Sequence, residues 1–303
     1  MHKFLRAIGF SGIRTREQLE ALLKEVEQNP SKTFFSSYED DVCLGEYSKE
    51  FCPGMGISLC GEVDVLERFS GDYYFPFFRG RHVSTKESSI IERHAAQVSF
   101  AGVCDDPKVG ISIIYYLINR ADYLSEAAKN KDLKAVKEGR EPRQTASLSL
   151  SALALNGTIM MPLAKNVRQK TKAEVSDKKR NKLLEAARNG DENAIESLTL
   201  EDLDIYSTIL RKIKHTDVYS LVDTYFMPYG VECDQYSVLG EITELSEVTN
   251  PISGEQVYVM SIICNEIPMD LCINKGDLYG EPQVGRRFKG TVWLQGQLNY
   301  PEK

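Results

Sequence analysis

The C-terminal succession VLGEITELSEV, NPISGE, QVYVMSIIC, NEIP, MDLCI, NKGDLYGEPQVG and RRFKGTVWLQGQL constrains the fold more than any other part of the chain. Each longer run is rich in β-branched and aromatic residues, and the runs are separated by Asn, Pro, Gly and Ser. At least four short strands joined by tight turns in so little chain predict a small β-barrel over residues 226–303. An oligonucleotide/oligosaccharide-binding (OB) type barrel is the architecture they favour.

Upstream the texture differs. Thr15 followed by Gln18 has the spacing of a capping box, and Leu19, Leu22, Leu23 and Val26 recur at helical period until Asn29-Pro30, which predicts a helix over Arg16 to Gln28. Short aromatic and β-branched runs follow. In GISLCGEVDVLERF, Ile57, Leu59, Val63 and Val65 share one parity and face one side of a sheet. QVSFAGVC and ISIIYYLIN flank a DDPKVG turn, an antiparallel hairpin in which Pro107 fixes φ and needs no donor. Ala121 to Gly139 reads as a charged helix. Further on, Leu148 and Leu150 keep one parity while Leu153 and Leu155 keep the other, so a register irregularity is expected. Asn156-Gly157 has the composition of a two-residue hairpin turn that would return to the first sheet.

The whole reads as α+β. An N-terminal domain with mainly antiparallel sheet plus helices spans 1–165, a basic linker and helical connector spans 166–225, and the barrel follows. Ser176, Asp191 and Thr199 are the expected N-caps of the connector helices, the last of which turns Leu203, Tyr206, Ile209, Leu210 and Ile213 inward.

The net charge of −7 conceals a segregation: residues 1–128 carry −5, residues 129–182 carry +9 and residues 183–303 carry −11. A basic middle between acidic ends predicts contact within the molecule, self-association or a protein partner more readily than a free polyanion partner. No apolar run approaches the roughly 18 residues of a membrane helix, and MHKFLRAIGFSGIR lacks the apolar core of a signal peptide. A cytoplasmic protein with no membrane contact is expected, its seven irregularly spaced cysteines reduced.

Three stretches carry a resemblance: MHKFLRAIGF, HAAQVSFAGVCDD, and MPYGVECDQYSVLGEI with VGRRFKGTVWLQG. They resemble a family of uncharacterised proteins from Clostridia and related Firmicutes, catalogued as a domain of unknown function. The resemblance covers essentially the whole chain. It implies a bacterial cytoplasmic protein and assigns no catalytic residue.

Chemical motifs are few. No GxxxxGK[ST], GxGxxG or GxSxG occurs, and Gly54-Met55-Gly56 has no following Lys or helix. The cysteines form no CxxC and the four histidines no HExxH, so no metal and no cofactor are expected. The weak catalytic candidates are Cys104, Asp106 and His94, a thiol, an acid and a base near one hairpin. Against them, neighbouring acids raise a thiol pKa, and Asp-Asp-Pro is ordinary turn chemistry.

Binding is better supported. Met227-Pro228 and Tyr229-Gly230 force a non-helical approach to the barrel, which gathers Tyr229, Glu232, Asp234, Gln235 and Tyr236 on one loop. Arg286, Arg287 and Lys289 stand beside Trp293, a basic and aromatic pairing that suits single-stranded nucleic acid, although Trp293 filling the barrel is the plainer reading. The expectation is a non-catalytic binding or regulatory protein acting through the barrel and its lead-in loop, with nucleic-acid binding, or an enzyme using His94, Cys104 and Asp106, as alternatives.

Overall fold

A computed structural model describes residues 1–39, 42–64, 66, 68–94, 98–129, 146–162, 186, 191, 193, 194, 196, 197 and 222–300. After a short 3-10 helix (Lys3–Ile8), helix α1 runs over Arg16–Gln28. Its start is the expected capping box: the Thr15 side chain accepts from the Gln18 backbone N–H, and the Gln18 side chain accepts from the Thr15 N–H.

Four strands then form an antiparallel meander, β1 (Lys32–Glu39), β2 (Val42–Cys52), β3 (Met55–Val63) and β4 (Phe69–Phe78). Three more, β5 (Ser89–Arg93), β6 (Phe100–Asp105) and β7 (Ser112–Leu117), make a second meander that includes the expected hairpin around Pro107. Helix α2 covers Arg120–Lys129, the first part of the expected charged helix. The connector caps Ser176 and Thr199, nearly all of the helices they were to start, and most of the basic stretch lie outside the described residues.

The remaining strands are β8 (Ser147–Met160), β9 (Tyr225–Pro228), β10 (Gln235–Thr249), β11 (Gln256–Cys264), β12 (Ile267–Asn274), β13 (Leu278–Tyr279) and β14 (Arg287–Asn299). Five of them close on themselves in the order β8, β12, β11, β10, β14 and back to β8. All pairs are antiparallel except β12 with β8. Alternation fills the barrel: Leu148, Leu150, Val238, Met260, Leu271 and Leu294 are fully buried inside it. The turn from β11 to β12 is the two-residue Asn265-Glu266, both at positive φ (49° and 62°), as a type I′ hairpin requires.

Asn156-Gly157 is not a turn. Both lie within β8, which runs straight through and pairs with β14 from Asn299↔Ser147 to Arg287↔Met160. The irregularity expected between Leu150 and Leu153 is not there: pairing runs unbroken from Ser147 to Ala154, and Leu153 takes the other parity because it faces the outer cluster; a shift comes only at Leu155, between the Ala154 and Asn156 pairings. Gly157 is required by packing: a Cβ there would come within 2.4 Å of the Phe288 ring. The barrel therefore includes a strand from before residue 165, where the expected division would have ended the first domain. The far end of β14 also pairs in parallel with β7 (Gln295↔Tyr116), so the barrel and the β5–β7 meander share one sheet.

A second buried cluster lies outside the barrel wall. Leu153, Val259, Cys272 and Trp293 pack there against Phe4, Leu5 and Ile8 of the 3-10 helix and Ile57, Phe75 and Phe77 of the first meander. Among the described residues no helix is long and apolar enough to cross a membrane.

Candidate functional site

Trp293 does not fill the barrel. Interior positions of β14 are Phe288, Val292 and Leu294, so Trp293 points outward into the second cluster. There its ring stacks on Phe4 (centroids 5.3 Å apart) and meets Tyr116 (5.1 Å) and His2 (4.9 Å). Its Nε1–H donates to Asp234 Oδ2 at 2.6 Å, and the Leu294 N–H donates to the Asp234 carbonyl at 2.8 Å. These two bonds pin the lead-in loop to β14.

The loop folds as its Gly and Pro residues dictate. Gly230 takes φ +77°, a conformation that strains other residues, and the chain then reverses so that the Gln235 N–H reaches the Glu232 carbonyl and the Tyr229 N–H reaches the Gln235 carbonyl. Glu232, Asp234 and Gln235 thereby come together with Trp293, while Lys3 Nζ donates to Gln235 Oε1 at 3.2 Å. With His2, His94, Ser99 and Tyr116 they line an open cleft of about 330 Å³. An aromatic floor with a few convergent polar groups is the usual make-up of a small-molecule site.

Electrostatics in the cleft follow from burial. Burial pushes the Asp234 carboxyl above its usual range, and the Trp293 bond only partly offsets this. Burial, aided by the charge of Lys3, depresses the His2 imidazole to about 4, so it is neutral at physiological pH. Its Nδ1 is buried and has no hydrogen-bond partner among the described residues. The site thus offers a neutral imidazole and a carboxyl that resists ionisation.

Other expected site residues lie elsewhere. Tyr229 is half exposed at the loop tip. Tyr236 turns into the barrel core, where its hydroxyl accepts from the Ile114 N–H at 2.8 Å. Arg286 donates to the Glu281 carbonyl, and buried Arg287 donates to the carbonyls of Met161 and Val222. Lys289 shares the outer face of β14 with Trp293, four residues away, but is not among the residues that line the cleft. The structure separates His94 from Cys104: Cys104 pairs with Ser89 at one end of the β5–β6 ladder, and His94 follows the other end. Burial raises the Cys104 thiol to about 11, and Asp106 caps its own turn by accepting from the Lys108 N–H. Among the described residues, no group of three or more His, Cys, Asp or Glu is arranged to hold a metal ion.

Sequence reasoning missed His2, Lys3, Phe4, Ser99 and Tyr116. His2, Lys3 and Phe4 reach the cleft through the docking of the 3-10 helix on a strand about 290 residues downstream, Ser99 and Tyr116 through the second meander joining β14, and no local pattern encodes such pairings.

A family model described as "Domain of unknown function, E. rectale Gene description (DUF3881)" matches residues 5–296. The chain belongs to this family. The match spans the first meander, the barrel up to Gly296 of β14, and the cleft residues from His94 to Trp293. No curated protein and no solved structure matches it.

Proposed function

We propose that this is a non-catalytic binding or regulatory protein whose cleft, between the barrel's lead-in loop and the 3-10 helix, takes a small planar ligand. The observation that carries the reading is the convergence of Glu232, Asp234, Gln235 and His94 on a floor of Trp293, Phe4 and Tyr116. The floor offers stacking, and the rim offers acceptors and an imidazole for orientation.

We read the barrel as OB-like. An OB barrel pairs its strands in the order 1-2-3-5-4-1 with strands 3 and 5 parallel, and assigning β10, β11, β12, β14 and β8 to strands 1 to 5 reproduces each of those pairings. On this reading the chain is permuted, its last OB strand coming first. The reading also weighs against nucleic acid. OB domains bind oligonucleotides over strands 2 and 3 and the loop joining strands 1 and 2, and here that region is covered in cis. Val257, Val259 and Cys272 pack on the 3-10 helix, and Glu255 and Asn250 bond to Ser11, Gly12 and the Ile8 carbonyl.

Trp293 is the single tryptophan of the chain and sits in the cleft wall, so its emission reports occupancy. Titration with adenosine, guanosine and indole should give a saturable change that Glu232→Gln or Asp234→Asn weakens. Silence with all three, together with salt-sensitive binding of a short oligonucleotide, would replace this reading with the nucleic-acid one.

A further inference from the structure

The inward face of the first meander carries Phe75, Phe77 and Cys60, yet it holds a polar patch. Paired residues share a face, and Glu46↔Cys60 and Ser48↔Ser58 place an acid and two hydroxyls at its centre. All three are deeply buried, Glu46 to 5 %, Ser48 to 6 % and Ser58 to 2 % exposure. They floor a partly open cavity of about 240 Å³ whose walls include Phe34, Phe77, the start of α2 and Gln297 of β14. Burying such groups costs stability unless they are fully bonded, and a fold has no need to line a cavity with them.

Their hydrogen bonds do not close. The two serine oxygens are 2.6 Å apart and each lies 3.1 Å from Glu46 Oε1. Three contacts share two hydroxyl protons, so a serine oxygen keeps lone pairs to offer. Gln297 Oε1 is buried and has no hydrogen-bond partner among the described residues. The charges, in contrast, are matched. Lys32 pairs with Asp122 at 2.9 Å, Arg79 with Glu50, and Arg120 with Glu46 at 2.8 Å. An ionic ligand would have to break one of these pairs, whereas a neutral donor would satisfy the acceptors and leave the pairs intact. Phe34 and Phe77 add flat apolar walls.

We propose that this cavity is a second binding site, separate from the Trp293 cleft, for a neutral, hydroxyl-rich small molecule of about monosaccharide size. Hydroxyl donors of the ligand reach Gln297 Oε1 and the serine pair, and its C–H face lies against the phenyl rings. Saturation-transfer NMR on the full chain tests this with D-glucose, myo-inositol and glycerol as probes, and with L-alanine and inorganic phosphate as ionic controls. At least one polyol should bind at millimolar concentration. Gln297→Leu, which keeps the shape and removes the acceptor, should weaken it by about tenfold, the worth of one good hydrogen bond. Ser48→Ala serves as the second variant should Gln297→Leu lower the melting temperature, and Asp234→Asn in the other cleft should leave polyol binding unchanged. The proposal is overturned if no polyol binds, if both cavity variants bind as wild type does, or if alanine or phosphate binds in place of the polyols.

Discussion

Trp293 and Asp234 are joined by a 2.6 Å hydrogen bond where β10 and β14 begin to pair, Gln235 standing directly opposite Trp293. The bond ties the lead-in loop to the barrel wall and sets one side of the cleft. Asp234→Ala leaves the indole N–H of buried Trp293 unpaired and should cost about 1–3 kcal/mol in urea unfolding. Asp234→Asn keeps an acceptor and removes a carboxyl that burial already holds in disfavour as an anion, so it should stay within about 1 kcal/mol of wild type. Equal losses in the two variants would show that the charge, rather than the acceptor, matters.

His2 supplies a pH dependence of defined sign. Its folded-state pKa of about 4 lies below the unfolded 6.5, so the unfolded chain takes up the proton first. The stability it contributes is complete above pH 6.5 and is lost as pH falls toward 4. At 1.36 kcal/mol per unit the loss amounts to about 3 kcal/mol. His2→Gln should flatten the fall in urea midpoint between neutral and mildly acidic pH, and the comparison with wild type cancels the carboxylates common to both. A parallel pair of curves would mean that His2 is not buried as described.

The barrel was more legible than the site. Alternation and turn chemistry in residues 235–299 announced four staves, and the Thr15/Gln18 box announced α1, because both signals are local. The fifth stave was obscured by Asn156-Gly157, whose turn-like composition serves the close approach of Phe288. Glycine freedom and glycine smallness give the same letter in the sequence. Half of the cleft was likewise readable, since Glu232, Asp234, Gln235 and Trp293 are neighbours along the loop or across one ladder. Its other half comes from the 3-10 helix and from β7, and long-range docking leaves no periodic trace.

Burial predicts which thiols react. Cys233 is exposed and Cys43 partly so, whereas Cys52, Cys60, Cys104, Cys264 and Cys272 are buried. Burial raises Cys104 to about 11 and Cys264 to about 12, which leaves almost no thiolate at neutral pH. A disulfide reagent such as DTNB should label Cys233 quickly and Cys43 slowly in the native protein, and the other five only on unfolding. Cys233→Ser should abolish the fast phase. Rapid labelling of Cys104 would reopen its candidacy as a nucleophile.

Arg120 carries a dense set of bonds in the interior. Its guanidinium donates to Glu46 Oε2 (2.8 Å), the Tyr73 hydroxyl (2.9 Å) and the carbonyls of Val98 (2.7 Å) and Gly45 (3.0 Å), with its side chain only 3 % exposed. It thereby links the first residue of α2 to β2, β4 and the residues before β6. Arg120→Met strands the buried Glu46 carboxylate and should cost about 3–5 kcal/mol. Glu46→Gln keeps acceptors for the two serines, and the arginine retains three neutral oxygens, so its loss should be smaller. In the double variant no charge is left unpaired, and the total should fall short of the sum by about 2 kcal/mol. A double-mutant cycle in urea measures that shortfall; strict additivity would mean that water reaches the pair and that the network positions the strands without the charges being coupled.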